Sequence, residues 1–268
     1  MQFFSEEELK QSLNLSGIVE NDIVIVHCSI IGLGLIKNKE INEIPKIIVD
    51  CILNLLGKNG TLSVPTFNYS YINRKEKFDT FKNDYTKLLG ALPGEVLSRK
   101  KRVRSFNPGY NISTIGAKSK YISSSKSISS FGSDSSWDRL FKLNSKIVLI
   151  NCDLDSMTFI RYIESKCDVP YLYSKLCKTP IYSGGKKILN QSTCYLRYKY
   201  LNFKYNLENF EKILKKRNVL KEIKINDIHI RTLSMRPTFE IGVELLNDNI
   251  YYFLEKTPTF NRNQHPVV

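Results

Sequence analysis

Arg161 and Glu164 lie three residues apart in the run Thr158-Phe-Ile-Arg161-Tyr-Ile-Glu164. On a helix that spacing puts both side chains on one face, and the Val169-Pro170-Tyr171 that follows ends the helix. A guanidinium stays charged at any working pH, so Arg161 can bind or orient an anion but cannot accept a proton. Glu164, Asp153 and Asp155 are the carboxylates nearest in sequence, and each needs a raised pKa to act as a base. Two readings of the pair stay open. Arg161 and Glu164 form a structural ion pair, or Arg161 holds an anion while another residue or water handles the proton.

A second group of reactive side chains follows an apolar run, in His27-Cys-Ser29-Ile-Ile-Gly-Leu33-Gly34. Ligands of α/β sheets bind beyond the carboxyl ends of the strands. A serine with glycines at such an end, here Ser29 and Gly34, leaves backbone N–H groups free for an anion. His27 is the histidine nearest that crevice; His229 and His265 are the others. The six cysteines form no Cys-x-x-Cys, so no metal site is expected. Cys28 and Cys152 sit in apolar runs as buried thiols.

The elements that must position these groups follow from periodicity. Ser5 to Glu8 is a capping box that opens a helix to about Leu13. Asp22 to His27, Gly60 to Pro65 and Lys146 to Ile150 are continuous apolar runs, as expected of strands buried on both faces. A helix over Ile41 to Leu56, closed by Gly57, links the first two into a βαβ unit with parallel pairing. Residues 66–87 have no clear period and read as a long functional loop, in which Tyr69 and Tyr71 could stack a sugar or a base beside Asn68. A helix is expected over Leu88 to Lys100 and loop over the serine-rich 118–136. Beyond residue 180, Gly184-Gly185 marks a β-hairpin and Leu207 to Arg217 a helix. The expected fold is α/β: a mixed, centrally parallel sheet flanked by helices, with a smaller antiparallel β-rich C-terminal part. Residues 1–175 form the core and 176–268 the smaller subdomain.

A chain of 268 residues with 42 % hydrophobic and 25 % charged residues buries a sizeable core. No apolar run is long enough for a membrane span, and the N-terminus lacks the features of a signal peptide, so a cytoplasmic location is expected. The net charge of +14 comes from dispersed lysines and arginines rather than a stripe, which disfavours nucleic-acid binding and suits an anionic small molecule.

The helix at 158–164 resembles that of the aminoglycoside 3-N-acetyltransferase family, which reads Asn-Thr-x-x-His-x-x-Glu before Val-Pro-Tyr. The family's catalytic histidine falls on Arg161. Further matches run in order from about residue 20 to 171: Val26, His27, Ser29, Leu33 and Gly34; Thr61-Leu-x-Val-Pro65-Thr66-Phe67; Gly90-Ala-Leu-x-x-Glu95; Arg104-Ser105-Phe106-Asn107-Pro108, with Asn107 in place of a histidine; and Phe131-Gly-x-Asp-Ser135-x-Trp137-x-x-Leu140. The resemblance implies an acyl-CoA-dependent N-acyltransferase, in which a primary amine attacks the thioester of acetyl-CoA or a related coenzyme A thioester. It implies catalytic roles at Glu164, Arg161 and His27, coenzyme A contacts at Ser29, Gly34, Arg104, Ser105 and Ser135, and substrate contacts at Asn68, Tyr69, Glu95 and Asn107. With both motif histidines absent and a strongly positive chain, the expected acceptor is an anionic amino sugar, such as a nucleotide-linked amino-deoxyhexose for surface polysaccharide. The alternatives are a coenzyme A-binding protein without catalysis and an aminoglycoside-modifying enzyme. The expected partners are thus acyl-CoA and an amino-sugar small molecule, with a homodimer left open.

Overall fold

The computed structural model describes residues 3–31, 33–36, 39–73 and 76–260. Its first half runs β1 (Phe3–Phe4), α1 (Glu6–Leu15), β2 (Ile23–Cys28), β3 (Leu35–Ile36), α2 (Ile44–Leu56), β4 (Thr61–Pro65), α3 (Ser70–Asn73), β5 (Phe78–Asp79), α4 (Leu92–Ser98), β6 (Val103–Arg104), β7 (Ile112–Gly116), α5 (Ser119–Ser123) and α6 (Ser136–Lys142). The second runs β8 (Lys146–Ile150), α7 (Phe159–Lys166), β9 (Leu172–Cys177), β10 (Ile181–Ser183), β11 (Lys186–Leu189), β12 (Ser192–Arg197), α8 (Glu208–Lys216), β13 (Leu220–Ile225), β14 (Ile228–Ser234) and α9 (Met235–Asp248).

The main sheet has the order β13-β14-β8-β2-β4-β7-β6. At its centre β2 pairs in parallel with both β8 and β4, and β14 and β7 flank this trio antiparallel. The mixed, centrally parallel α/β fold is therefore the one the apolar runs predict. The runs of β2 and β8 are continuous because each of these strands feeds two cores, whereas β4 gives Leu62 and Val64 to one core only. Ile25, Ile147 and Leu149 pack on one face with Trp137, Phe159 and Ile163. Val24, Val26, Val148 and Ile150 pack on the other with Ile48, Ile52 and Leu62. The capping box at Ser5 and Glu8 forms, and Gly57, at φ 66°, closes α2.

Three local expectations are corrected. The helix expected from Leu88 starts only at Leu92, with Pro93 in its first turn. Gly90, at φ 78°, breaks the chain before it, and a Cβ there would lie 2.9 Å from the Cys28 carbonyl oxygen. The serine-rich stretch holds α5 and the start of α6. The loop after β4 holds α3 and β5, and β5 joins β10 and β11 in a small sheet.

β9 and β12 make a separate antiparallel pair, and β10 and β11 meet across Gly184-Gly185. β13 and β14, in contrast, belong to the main sheet. A division of the chain at 175/176 is thus a proposal about the two small sheets, because the main sheet draws strands from both segments. Among the described residues, no helix is long and apolar enough to cross a membrane.

Candidate active site

The carboxyl ends of β2, β4 and β8 open into a cleft of about 740 Å³, well within the range of small-molecule sites. Its floor is Val26, His27, Cys28 and Ser29 after β2, Pro65 and Phe67 after β4, and Cys152 after β8. One wall is the segment from Thr86 to Pro93, and the opposing elements contribute Met157, Thr158, Ile160 and Arg161 of the α7 region with Tyr205 and Leu207. Tyr69 is 40 % exposed and packs on Phe67 and Tyr110, with ring centroids 5.1 and 6.4 Å away.

α7 places Arg161 in the cleft and Glu164 behind it. Arg161 Nη1 donates to Glu164 Oε2 at 2.8 Å, and its guanidinium carbon lies 4.4 Å from the Tyr205 ring centroid. Glu164 is fully buried, and its Oε1 accepts from Tyr171 and Tyr205, both at 2.8 Å. Burial raises the Glu164 carboxyl above its ordinary value, while Arg161 and Tyr171 oppose the rise. Three donors on two oxygens fit a carboxylate rather than an acid. Burial works against the charge of Arg161, but Glu164 together with Tyr110, Tyr69 and Tyr171 outweighs it, and its pKa is raised. Glu164 thus anchors Arg161, with its side chain fully buried and its two oxygens accepting three donors from the protein.

The remaining polar lining is sparse. His27 is buried, and burial lowers its pKa to about 4, so the imidazole is neutral at physiological pH; its Nε2 has no protein partner. Asp155 is raised above its ordinary value by burial and by the neighbouring Asp153 and Glu208. Asp153 is exposed and pairs with Arg231 at 3.1 Å. Lys87 stands at the exposed rim, 4.9 Å from the Tyr85 ring centroid. Burial raises the Cys28 and Cys152 thiols, which makes them poor nucleophiles.

The cleft therefore gathers Arg161, His27, Ser29 and Tyr69 of the expected site residues, with Glu164 directly behind. The others bond to groups of the scaffold. Arg104 is buried and donates to Asn111 Oδ1 and to the carbonyls of Lys82, Thr66 and Asp84, at 2.6 to 2.8 Å. Ser105 Oγ accepts from the Ile112 amide, and Ser135 Oγ caps α6 by accepting from the Asp138 amide. Asn107 donates to the Thr193 carbonyl and accepts from the Gly109 and Tyr110 amides. Asn68 bonds Asp84 and the Ser70 amide, and Glu95 holds Arg99 at 2.6 Å. Gly34 turns at φ 81° away from the cleft lining. Sequence reasoning missed Tyr205, Tyr110 and Lys87. Only Lys87 carries a signal, a cation among apolar residues; the tyrosines reach the site through long-range packing.

A centrally parallel α/β sheet with a mostly apolar cleft at its strand ends, and an Arg-x-x-Glu helix facing it, defines a small-molecule enzyme scaffold. The sequence profile of the family described as aminoglycoside 3-N-acetyltransferase matches residues 25–247, and the chain belongs to that family. The fold agrees. The crystal structure of aminoglycoside acetyltransferase AAC(3)-Xa is similar over 92 % of this chain and 93 % of that one, with a TM-score of 0.78 at 18 % identity. A binary structure of AAC-IIIb with CoASH is similar over 96 % and 100 %, with a TM-score of 0.77 at 16 % identity. A histidine-to-alanine mutant of AAC(3)-IVa in complex with apramycin is similar over 94 % and 96 %, with a TM-score of 0.74 at 19 % identity. No curated protein matches the chain. Membership makes the protein an acyl-CoA-dependent N-acyltransferase, with a coenzyme A thioester as cosubstrate.

Proposed function

We propose that the protein transfers an acetyl or related acyl group from coenzyme A to the primary amine of an anionic amino sugar, of the nucleotide-linked amino-deoxyhexose kind. The observation that carries this reading is the charge of the cleft. Its lining holds Arg161 and Lys87 against the single carboxylate of Asp155, with His27 neutral. A polycationic acceptor is repelled by such a lining, and an anionic one is drawn in.

In the reaction the neutral amine attacks the thioester carbon. A C–N bond forms, the C–S bond breaks, coenzyme A leaves as thiolate, and the amine proton must find an acceptor. Arg161 stands where the family has its histidine and cannot take that proton. Asp155 is the lining carboxylate with a raised pKa, and it receives the proton in this scheme, directly or through water. An amino-sugar amine is less basic than lysine, so a fraction is neutral without help.

A second reading has its own observation. Asp153 and Glu208 add negative charge next to Asp155, which gives one edge of the cleft a place for a cationic aminoglycoside such as the apramycin of the AAC(3)-IVa complex. Release of free thiol from acetyl-CoA, measured over nucleotide-linked amino sugars and aminoglycosides between about pH 6 and 9, separates the two. Turnover with nucleotide-linked sugars supports the first reading, and turnover with aminoglycosides alone the second. Silence with coenzyme A still bound would mean a binding protein.

A further inference from the structure

Arg197 ends β12 and is exposed. Its guanidinium carbon lies 4.7 Å from the Phe203 ring centroid and 5.5 Å from that of Tyr205. The Arg161 guanidinium sits over the same Tyr205 ring at 4.4 Å. Tyr205 is itself fixed, because its hydroxyl donates to Glu164 at 2.8 Å. Two arginines therefore share one anchored ring and the field of one buried carboxylate. Glu164 answers Arg161 alone by a direct bond. Burial and the nearness of Arg161 both lower the Arg197 pKa, while Glu164 opposes the fall. Two guanidiniums stacked on one ring repel each other, and an anion bound beside them relieves that repulsion.

We propose that Arg161 and Arg197, held on Tyr205, form an oxyanion subsite that takes the phosphate or carboxylate of the acceptor. This rests on the reading of the acceptor as an anionic amino sugar, and it assigns the recognition to particular residues. Guanidiniums suit the task because their forked donors match a phosphate or carboxylate in pairs. Their stacking on aromatic faces restrains them before the ligand arrives. The subsite is assigned to the acceptor because Arg161 lines the cleft together with Asp155, which takes the amine proton in the proposed reaction. Arg197 acts on specificity and is not a proton carrier.

The test uses calorimetry on the whole protein saturated with coenzyme A, titrated with inorganic pyrophosphate as the probe. The wild type should bind pyrophosphate, Arg197→Gln should weaken it at least about tenfold, and Arg197→Lys should fall between. Arg197 is exposed, so the variants should keep the wild-type melting temperature, which is checked alongside. Equal pyrophosphate affinity in wild type and Arg197→Gln overturns the subsite, as does a loss of coenzyme A affinity in its place. Steady-state kinetics then divide the acceptors. With a nucleotide-linked amino sugar, Arg197→Gln should raise the acceptor KM and leave that for acetyl-CoA unmoved; with an amino-sugar carboxylate the same pattern would name the other anion. Transfer to either anionic sugar with a KM indifferent to Arg197 sinks the subsite and leaves the acceptor reading standing. Pyrophosphate binding that depends on Arg197, without transfer to any anionic sugar, sinks the acceptor reading and leaves the subsite standing.

Discussion

Arg104 and Arg161 are both held deep in the same fold, and they do opposite things. Arg104 spends its donors on Asn111 and three loop carbonyls, and its cation lies 4.8 Å from the Phe78 ring centroid. It ties the segment 80–84 to β6 and β7, and nothing is left for a ligand. Arg161 makes one bond, to Glu164, and presents the rest of its fork to the cleft. An arginine whose hydrogen bonds are closed by backbone is scaffold. One anchored at a single nitrogen is poised to bind.

The comparison breaks most visibly at Arg104. Arg104→Met would remove a donor from four acceptors, two of them in fully buried bonds, and urea denaturation should show a loss of about 4 kcal/mol. A loss under about 1 kcal/mol would return Arg104 to the list of ligand contacts.

His27 gives the next effect. Its folded pKa of about 4 lies below the ordinary 6.5, so between these values the unfolded chain binds more protons. Stability should therefore fall as pH drops from 6.5 toward 4, by up to about 3 kcal/mol from this group. In His27→Leu that part of the pH dependence should vanish; an unchanged slope would show the imidazole to be solvated.

Arg161→His sharpens the contrast from the other side. Glu164, Tyr171 and Tyr205 remain to orient an imidazole, and transfer to a neutral acceptor amine should rise by about a hundredfold. No gain would mean that the surrounding residues no longer serve a base at that position. The smallest effect is expected at Asp155. Asp155→Asn should cost about tenfold in kcat/KM and remove the acidic limb of the pH–rate profile, since the wild-type group must lose its proton, at a pKa raised above the carboxylate norm, before it can accept one.

The strands β2 and β8 were legible because each faces a core on both sides, which writes itself as an unbroken apolar run, while β4 puts only Leu62 and Val64 into a core. The Arg161–Glu164 contact was legible because its spacing is local. Tyr205 was not, since its hydroxyl meets Glu164 across 41 residues of chain with no periodicity to announce it. Arg104, Ser105, Asn107 and Ser135 sit in motif-like segments, and in the structure they satisfy backbone groups and caps. A short motif reports that a residue type is needed, and the hydrogen-bond partners decide for what. The pairing of β14 with β8 was equally invisible, because a strand's sequence does not name its neighbour.

The central claim is that an arginine in the histidine's place has turned this cleft toward anionic acceptors. The most direct measurement is the ratio of kcat/KM for one amino sugar in its nucleotide-linked form and as a neutral glycoside, in the wild type and in Arg161→His. The account predicts a wild-type preference of at least about tenfold for the nucleotide-linked form, shrinking in Arg161→His as the neutral glycoside gains. A wild-type ratio near one, or a preference for the neutral glycoside, would contradict it.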